Sequence, residues 1–390
     1  ADYVVGTFAS VVGMASGWKI IYYPTSVWLV YGTGPTTWTG DVDSDWSNVG
    51  NWSAGIPDAT SDVIIANGLN QAHILSGVIN AKSLLINENA SLTISTGATL
   101  QLKRSYSVGM RVYGSVINNG TIVIKTTGTD GINSIGSIMN NGRIDIGSAS
   151  KIGRYGIYYD GGTFNNNAGS ELSINNCENS GFFIETGTIT NASKMEIGKD
   201  GSVGDECIVQ GSGTFTNEAT GLITADNVWY GGFRLRYGSF TNQGRIVIGT
   251  HNASDMRSGL MVFRTVLTNN GEIQIDRCSN SGIFLYHSDG SIQNNGNFKV
   301  GMLKPISKLL EVANDGRLFS NNVGGVFQGT GTIQASIFVN AGGTLSPGYS
   351  PGIQTFNSPE DFSSSIMAME VNGTGAGVAY DQIVVNGTAT

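Results

Sequence analysis

Two carboxylates and one arginine occupy equivalent places in the sequence and could together perform acid–base chemistry. Asp160 and Glu185 each precede a glycine by two residues, in "IYYDGGT" and "FFIETGT", and Arg236 precedes Gly238 by the same interval. A carboxylate pair beside an arginine suits acid–base attack on a uronic acid. Charges on the outer face of a sheet also keep it soluble, and this second interpretation is the simpler one. We therefore expect no catalytic residues and keep catalysis as the alternative.

A second candidate site is an acidic loop near the N-terminus. The stretch "GDVDSDWSNVGNW" places Asp41, Asp43 and Asp45 at alternate positions. Oxygen ligands two residues apart resemble the start of a calcium loop. However, Trp46 stands where such a loop has glycine, and no glutamate follows at the twelfth position. A polar turn beside aromatic anchors fits better, so calcium is an open alternative and no other cofactor is expected.

Outward aromatic residues are candidates for ligand binding. Tyr158 and Tyr286 lie in apolar runs and could stack on sugars, although tyrosine also fills strand surfaces well. With Asp160, Glu185 and Arg236 they form the predicted ligand-binding set. The net charge of −8 argues against nucleic acid or an anionic membrane as a partner. The histidines show no zinc-binding spacing, and no phosphate-binding loop motif is found.

These residues lie within a repeat of about 25 residues. Copies with a shared Gly-Ser/Thr start or an Asn-rich centre include "GSVINNGTIVI" from Gly114, "GSIMNNGRIDI" from Gly136, "GTFTNEATGLITA" from Gly213, "GSFTNQGRIVI" from Gly238 and "GSIQNNGNFKV" from Gly290. A period of this length is typical of a solenoid, in which each repeat buries its apolar face by stacking on its neighbours. The chain is therefore expected to form one elongated core.

The apolar residues within each repeat alternate with polar ones, as in a β-strand. Phe298 and Val300 point one way, while Asn297 and Lys299 point the other. Most repeats hold a third apolar run, such as "GIYYD" (156–160) or "IFLYH" (283–287). Three short strands per repeat predict an all-β fold, a right-handed parallel β-helix with three strands per coil.

Asn-Gly steps separate two of the strands and predict the corners of the coil. We expect glycine there to supply a positive φ, and stacked asparagine side chains to hydrogen-bond from coil to coil. The predicted corner residues are Asn119, Gly120, Asn141, Gly142, Asn270, Gly271, Asn295 and Gly296.

The domain organisation follows from the limits of the repeats. Residues 1–37 form an aromatic, apolar segment, 38–65 lead into the first coil, 66–335 form the β-helix, and 336–390 form a C-terminal exit segment that looks truncated. The first segment is too rich in Gly, Ser, Thr and Pro for a transmembrane helix. It is expected to cap the first coil, or to add a strand to a neighbouring subunit or a secretion partner.

Two flanking stretches resemble known surface proteins. "WTGDVDSDWSNVGNWSAGIPDATSDVII" (38–65) resembles the segment before the first coil of large bacterial surface β-helix proteins. "GTGTIQASIFVNAGGTLSPGYSPGIQTF" (329–356) and "YDQIVVNGTA" (380–389) resemble the end of autotransporter-type adhesin passengers and of Bacteroidetes-style secreted adhesins. The resemblance implies secretion to the bacterial cell surface and a structural or adhesive role, and it implies no catalytic residues.

The sequence thus predicts an extracellular, cell-surface structural or adhesive solenoid. Its partner would be an extracellular glycan or protein, and residues 1–35 could mediate self-association into a filament. The alternative is a β-helix polysaccharide lyase or glycoside hydrolase.

Overall fold

A computed structural model describes residues 18–23, 26–31, 35–148, 150–250, 256–286, 289–313, 318–335, 338–349 and 351–390. They form a parallel β-solenoid of about 13 turns with about 25 residues per coil, as the sequence predicts. Three strands per coil stack into three faces, here called A, B and C. Apart from a 3₁₀ turn at Val49–Asn51, the described residues contain no helix, and so none that could span a membrane.

The strands are numbered in chain order, and β1 (Trp18–Tyr23) and β2 (Ser26–Tyr31) precede the faces. Face A comprises β3 (Thr36–Trp38), β4 (Asp62–Ile65), β7 (Ser83–Ile86), β10 (Met110–Val112), β13 (Ile132–Ser134), the first parts of β16 (Ile157–Asn166) and β18 (Phe182–Asn191), β20 (Glu206–Gln210), β23 (Gly231–Leu235), β26 (Met256–Val262), β29 (Cys278–Leu285), β32 (Lys308–Val312), β35 (Gly331–Gln334), β38 (Ile353–Phe356) and β40 (Gln382–Val385).

Face B comprises β5 (Ala72–Ile74), β8 (Ser91–Ile94), β11 (Ser115–Asn118), β14 (Ser137–Asn140), the second parts of β16 and β18, β21 (Thr214–Asn217), β24 (Ser239–Asn242), β27 (Val266–Asn269), β30 (Ser291–Asn294), β33 (Leu318–Asn322) and β36 (Phe338–Ala341). Face C comprises β6 (Val78–Ala81), β9 (Thr99–Leu102), β12 (Thr121–Ile124), β15 (Arg143–Ile146), β17 (Glu171–Ile174), β19 (Lys194–Ile197), β22 (Leu222–Ala225), β25 (Arg245–Ile248), β28 (Glu272–Ile275), β31 (Asn297–Val300), β34 (Val326–Gly329), β37 (Thr344–Ser346) and β39 (Ile366–Met367).

The core is a set of apolar columns that run along the axis. Each strand turns every second side chain inward, and parallel pairing in register places like residues above one another. One such column on face C contains Leu100, Ile122, Ile144, Leu172, Met195, Ile223, Ile246, Ile273, Phe298, Phe327 and Leu345, all fully or almost fully buried. Burial of each such side chain contributes about 1.5–3 kcal/mol, so every coil adds to one continuous core.

The corner between faces B and C carries two asparagine ladders. The exposed ladder uses predicted corner residues: Asn141 donates to Asn119 at 2.8 Å and Asn295 to Asn270 at 2.8 Å. The second ladder uses residues one position earlier in the sequence. They lie at the C-terminal ends of the face B strands, and their side chains point into the core. Its members are Asn118, Asn140, Asn166, Asn191, Asn217, Asn242, Asn269, Asn294, Asn321 and Asn340, each joined to the next by an amide hydrogen bond of 2.7–2.8 Å. These ten side chains are buried.

The expected reason for glycine at this corner is wrong. None of Gly120, Gly142, Gly271 and Gly296 is among the glycines with a positive φ. A Cβ on Gly142 would instead collide with the carbonyl oxygen of Gly120 in the coil below. Close stacking of the corner backbones therefore requires glycine here. Positive φ occurs at the corner between faces A and B, for example at Gly213 (81°) and Gly238 (80°).

The parallel ladders extend beyond the predicted solenoid limits of 66–335. At one end β3 already pairs with β4, and at the other β36 pairs with β33 and β40 with β38. Trp38, Trp46 and Trp52 are buried at the N-terminal end. The ring centroid of Trp52 lies 5.1 Å from that of Trp38 and 4.6 Å from that of Trp46. Of the N-terminal segment, β1 and β2 form an antiparallel hairpin; residues 1–17 lie outside the described residues.

Candidate functional site on face A

The three faces present different chemistry to solvent. Face C is charged but internally paired: Glu272, for example, binds Arg245 at 2.8 Å and Lys299 at 2.6 Å. From β11 to β30, face B points only uncharged side chains outward, most of them Ser or Thr. Face A carries aromatic rings and arginines, the combination most suited to a ligand.

Register pairing creates the central outward column of face A. Consecutive coils align Tyr158, Phe183, Val209, Arg234, Met261, Phe284 and Glu311. Because neighbouring strands lie about 4.8 Å apart, Tyr158 and Phe284 are about 24 Å apart along the axis. Residues at the strand ends and adjoining corners flank this column and complete two clusters.

Cluster I consists of Arg154, Tyr155, Tyr158 and Phe183. The ring centroids of Tyr155 and Tyr158 are 5.7 Å apart, and Phe183 lies 4.8 and 5.6 Å from them. The Arg154 guanidinium lies 4.8 Å from the Tyr155 ring, and that of Arg236 lies 5.9 Å from the Phe183 ring. The result is a surface of aromatic rings bordered by two cations.

Asp130 fixes the position of Arg154. The buried carboxylate accepts two hydrogen bonds from the guanidinium, at 2.8 Å from Nε and 2.7 Å from Nη2. This hydrogen bonding raises the pKa of Arg154. Burial, and then the nearby charges of Asp160 and Glu185, raise the pKa of Tyr158, so its hydroxyl remains protonated at neutral pH.

The predicted carboxylate pair is out of register. Asp160 is paired with Thr186, because the register shifts on both sides of Asp160. Within the described residues, no ion pair or hydrogen bond joins Asp160, Glu185 and Arg236, and the guanidinium of Arg236 faces the Phe183 ring instead. The three residues border cluster I, but their positions do not form an acid–base pair.

Cluster II surrounds a groove of about 450 Å³ farther along the same face. Its lining comprises Tyr230, Arg234, Arg257, Ser258, Met261, Phe263, Asn280, Phe284, Tyr286 and Glu311. Tyr286 lies 5.2 Å from Phe263 and 5.7 Å from Phe284, measured between ring centroids. The structure therefore places the predicted ligand residues Tyr158 and Tyr286 on one face, but in separate clusters.

Charged side chains line or adjoin this groove. Arg234 lies over the Phe263 ring at 5.2 Å, and its Nη1 donates to the Glu206 carboxylate at 3.1 Å. Burial raises the pKa of Glu206 despite this partner. Arg257 lies 5.3 Å from the Tyr230 ring. Glu311 is bound by Lys308 at 2.8 Å and by the Ser281 hydroxyl at 2.7 Å, and its pKa is lowered because these hydrogen bonds outweigh burial.

A smaller groove of about 340 Å³ lies near the N-terminal end of face A. Tyr106 lines it and is 77% exposed. The guanidinium of Arg104 lies 5.5 Å from the Tyr106 ring, and Lys82 Nζ lies 5.9 Å from it. Aromatic–cation contacts thus recur at three levels of this face.

In the predicted calcium loop, the carboxylates accept hydrogen bonds from the loop itself. Asp43 Oδ1 accepts from Asn51 Nδ2 at 2.7 Å, and its Oδ2 accepts from Asn48 Nδ2 at 2.8 Å. These hydrogen bonds lower the pKa of Asp43. Asp45 accepts from Ser47, and Asp41 is exposed. Across the described ranges, no three His, Cys, Asp or Glu side chains form a group that could hold a metal ion. Calcium binding stays a prediction.

Sequence reasoning missed most of the residues that build the clusters: Arg154, Tyr155, Phe183, Tyr230, Arg257 and Phe263. Two of them, Phe183 and Phe263, belong to apolar runs in which the outward positions were not distinguished. Arg154, Tyr155 and Tyr230 precede their strands at corners, and Arg257 lies near the start of β26. The sequence feature that could identify these residues is an aromatic residue or an arginine at the same position in successive repeats.

One family model, described as a domain of unknown function (DUF8693), matches residues 37–220. It spans slightly less than half of the chain, from β3 to β21, and includes cluster I but ends before cluster II. No curated protein and no solved structure matches the chain.

Proposed function

We propose that this protein is an extracellular, bacterial cell-surface β-solenoid that binds a glycan through face A. The observation that carries the proposal is cluster I, where three aromatic rings lie together beside Arg154 and Arg236. Aromatic planes bind the apolar faces of sugars, and nearby polar groups bind their hydroxyls. The resemblance of the flanking segments to secreted adhesins supports the location.

The role proposed is adhesive and structural. A continuous apolar core and the buried asparagine ladder favour a stiff rod, on which the clusters are held at fixed separations. Binding then requires little reordering of the protein, because the side chains that form the surface are already in contact with one another.

Glycan-array binding tests this function. We expect Tyr158→Ala to weaken binding at least tenfold, equivalent to about 1.4 kcal/mol. Tyr349→Ala is the matched control, because Tyr349 is an exposed tyrosine near Lys299 of face C. The proposal is refuted if the wild-type protein binds no glycan on the array, or if the wild type and the Tyr158 variant bind equally well.

Polysaccharide cleavage is the second candidate, favoured by Glu206. Its buried carboxyl has a raised pKa and lies 3.1 Å from Arg234 beside the groove. Incubation with polysaccharides should then release shorter chains, and Glu206→Gln should abolish the release. Intact polysaccharide after prolonged incubation would remove this candidate.

Self-association through residues 1–35 is a further part of the proposal. Negative-stain electron microscopy with and without this segment tests it: filaments that disappear on deletion support assembly, whereas short single rods in both samples contradict it.

A further inference from the structure

We infer that cluster II binds an anionic sugar chain, one bearing carboxylate or sulfate groups. The inference rests on the proposed function and specifies the ligand class of its second cluster. The groove of about 450 Å³ is bordered by aromatic rings and by Arg234 and Arg257, which supplies both a stacking surface and a counter-charge.

Among the described residues around the groove, one cation has no acidic partner. Arg234 is paired with Glu206, and Lys308 is paired with Glu311. Arg257 is exposed, and no described acidic side chain forms an ion pair with it; its guanidinium faces the Tyr230 ring. An arginine that has no acidic partner keeps its planar set of N–H donors available for carboxylate and sulfate oxygens.

Arg234 also retains hydrogen-bonding capacity. Only its Nη1 donates to Glu206, while its Nε is buried and has no hydrogen-bond partner within the described part of the chain. Arg257 therefore contributes positive potential to the groove, although the whole chain is acidic.

The remaining lining suits a sugar more than a simple anion. Phe263, Phe284 and Tyr286 place three rings with centroid separations of 5.2 and 5.7 Å along one wall. The Asn280 side chain lines the groove and makes no hydrogen bond to another described residue. Rings for stacking and a free amide for hydroxyl groups indicate a carbohydrate carrier of the negative charge.

Binding assays on the full chain test this inference with three probes: polygalacturonate, its carboxyl-reduced neutral counterpart, and dextran sulfate. We expect at least one anionic polymer to bind, with affinity decreasing as salt increases because the attraction is screened. Preference between the two anionic polymers identifies carboxylate or sulfate as the group recognised.

The decisive variant is Arg257→Gln, which should weaken binding of the anionic polymer at least tenfold. Arg245→Gln is the matched control: it removes the same charge from a different face, face C, where Arg245 pairs with Glu272. Its affinity should remain within about twofold of the wild type, because exposed ion pairs contribute little.

The outcomes separate this inference from the proposed function. Equal binding of neutral and anionic polymers, unchanged binding by Arg257→Gln, or binding insensitive to salt would overturn the inference. If neutral glycans still bind and the Tyr158 variant loses them, the proposed function stands alone. Failure to bind any glycan would overturn both.

Discussion

The buried asparagine ladder allows a direct test of how the coils are held together, by substituting Asn140 with alanine. Asn140 donates to Asn166 Oδ1 at 2.8 Å and to the Glu171 carbonyl oxygen at 3.1 Å, and it accepts from Asn118 Nδ2 at 2.8 Å. Its Oδ1 also accepts a longer hydrogen bond of 3.4 Å from the Gly142 N–H. The side chain is fully buried, so water cannot replace these four partners.

The expected loss follows from those contacts. Each net hydrogen bond contributes about 1 kcal/mol, and an unsatisfied buried group costs about 1–3 kcal/mol. Two neighbours keep other partners: Asn118 still donates to the Arg143 carbonyl oxygen, and Asn166 still accepts from Ser170. We therefore expect Asn140→Ala to reduce the free energy of unfolding by about 2–4 kcal/mol.

The next residue supplies the control. Asn141→Ala removes hydrogen bonds of 2.8 and 2.6 Å from the exposed ladder, where water replaces the lost partners. Its effect should stay below about 1 kcal/mol. Urea denaturation measures both variants, and hydrogen exchange of β12, β14 and β15 locates the change, since solenoids can unfold in parts.

Equal destabilisation by the two alanine substitutions would refute this reasoning. It would mean that corner geometry, and not the satisfaction of buried amides, determines stability. Rapid exchange throughout the chain in the Asn140 variant, with normal exchange in the Asn141 variant, would show instead that the ladder acts as one cooperative unit.

Three further predictions concern the corners, the thiols and the C-terminal segment. Gly142→Ala should destabilise the protein by about 1–3 kcal/mol through overpacking, and more than Gly169→Ala, whose added methyl enters open space and meets only backbone strain; thermal denaturation of both variants compares them. Burial raises the pKa of Cys177 to about 12, and all three cysteines are buried, so a thiol reagent at neutral pH should label the denatured chain but not the native one. Burial also raises the pKa of Glu360 to about 7 from 4.5; because the folded state then holds the proton more tightly, stability should fall as pH rises from about 4.5 to 7, and Glu360→Gln should remove that slope in pH-dependent proteolysis of the C-terminal segment.

The fold could be predicted because its determinants are local and repeated. Phe298 and Val300 alternate with polar neighbours, and equivalent pairs return in every coil, so strand direction and stacking follow from one period. The corner between faces B and C also lies where the Asn-Gly steps predict it. The role of Gly142 was misassigned because a sequence shows which residue lacks a side chain, but not whether backbone conformation or a neighbouring coil requires it.

The site was less predictable because it depends on register between coils. Asp160 and Glu185 have the same spacing from glycine, yet the irregularity at Asp160 breaks their alignment. Cluster I combines residues from a corner and from two strands, so no single motif contains it. The Asn-Gly step, interpreted as the corner, predicts the ladder at Asn141, whereas the alternation that turns Ile138 inward continues to Asn140.

The asparagine ladder also bears on how such a protein can change in evolution. Each rung from Asn140 to Asn321 receives a hydrogen bond from the coil before it and gives an equivalent one to the coil after it, so these coils are interchangeable at this corner. Recombination between repeats can therefore add or remove a whole coil of about 25 residues while preserving every contact of the ladder. Rod length can vary in this way between related sequences, whereas the two clusters on face A, which depend on particular neighbouring coils, restrict where such a change is tolerated.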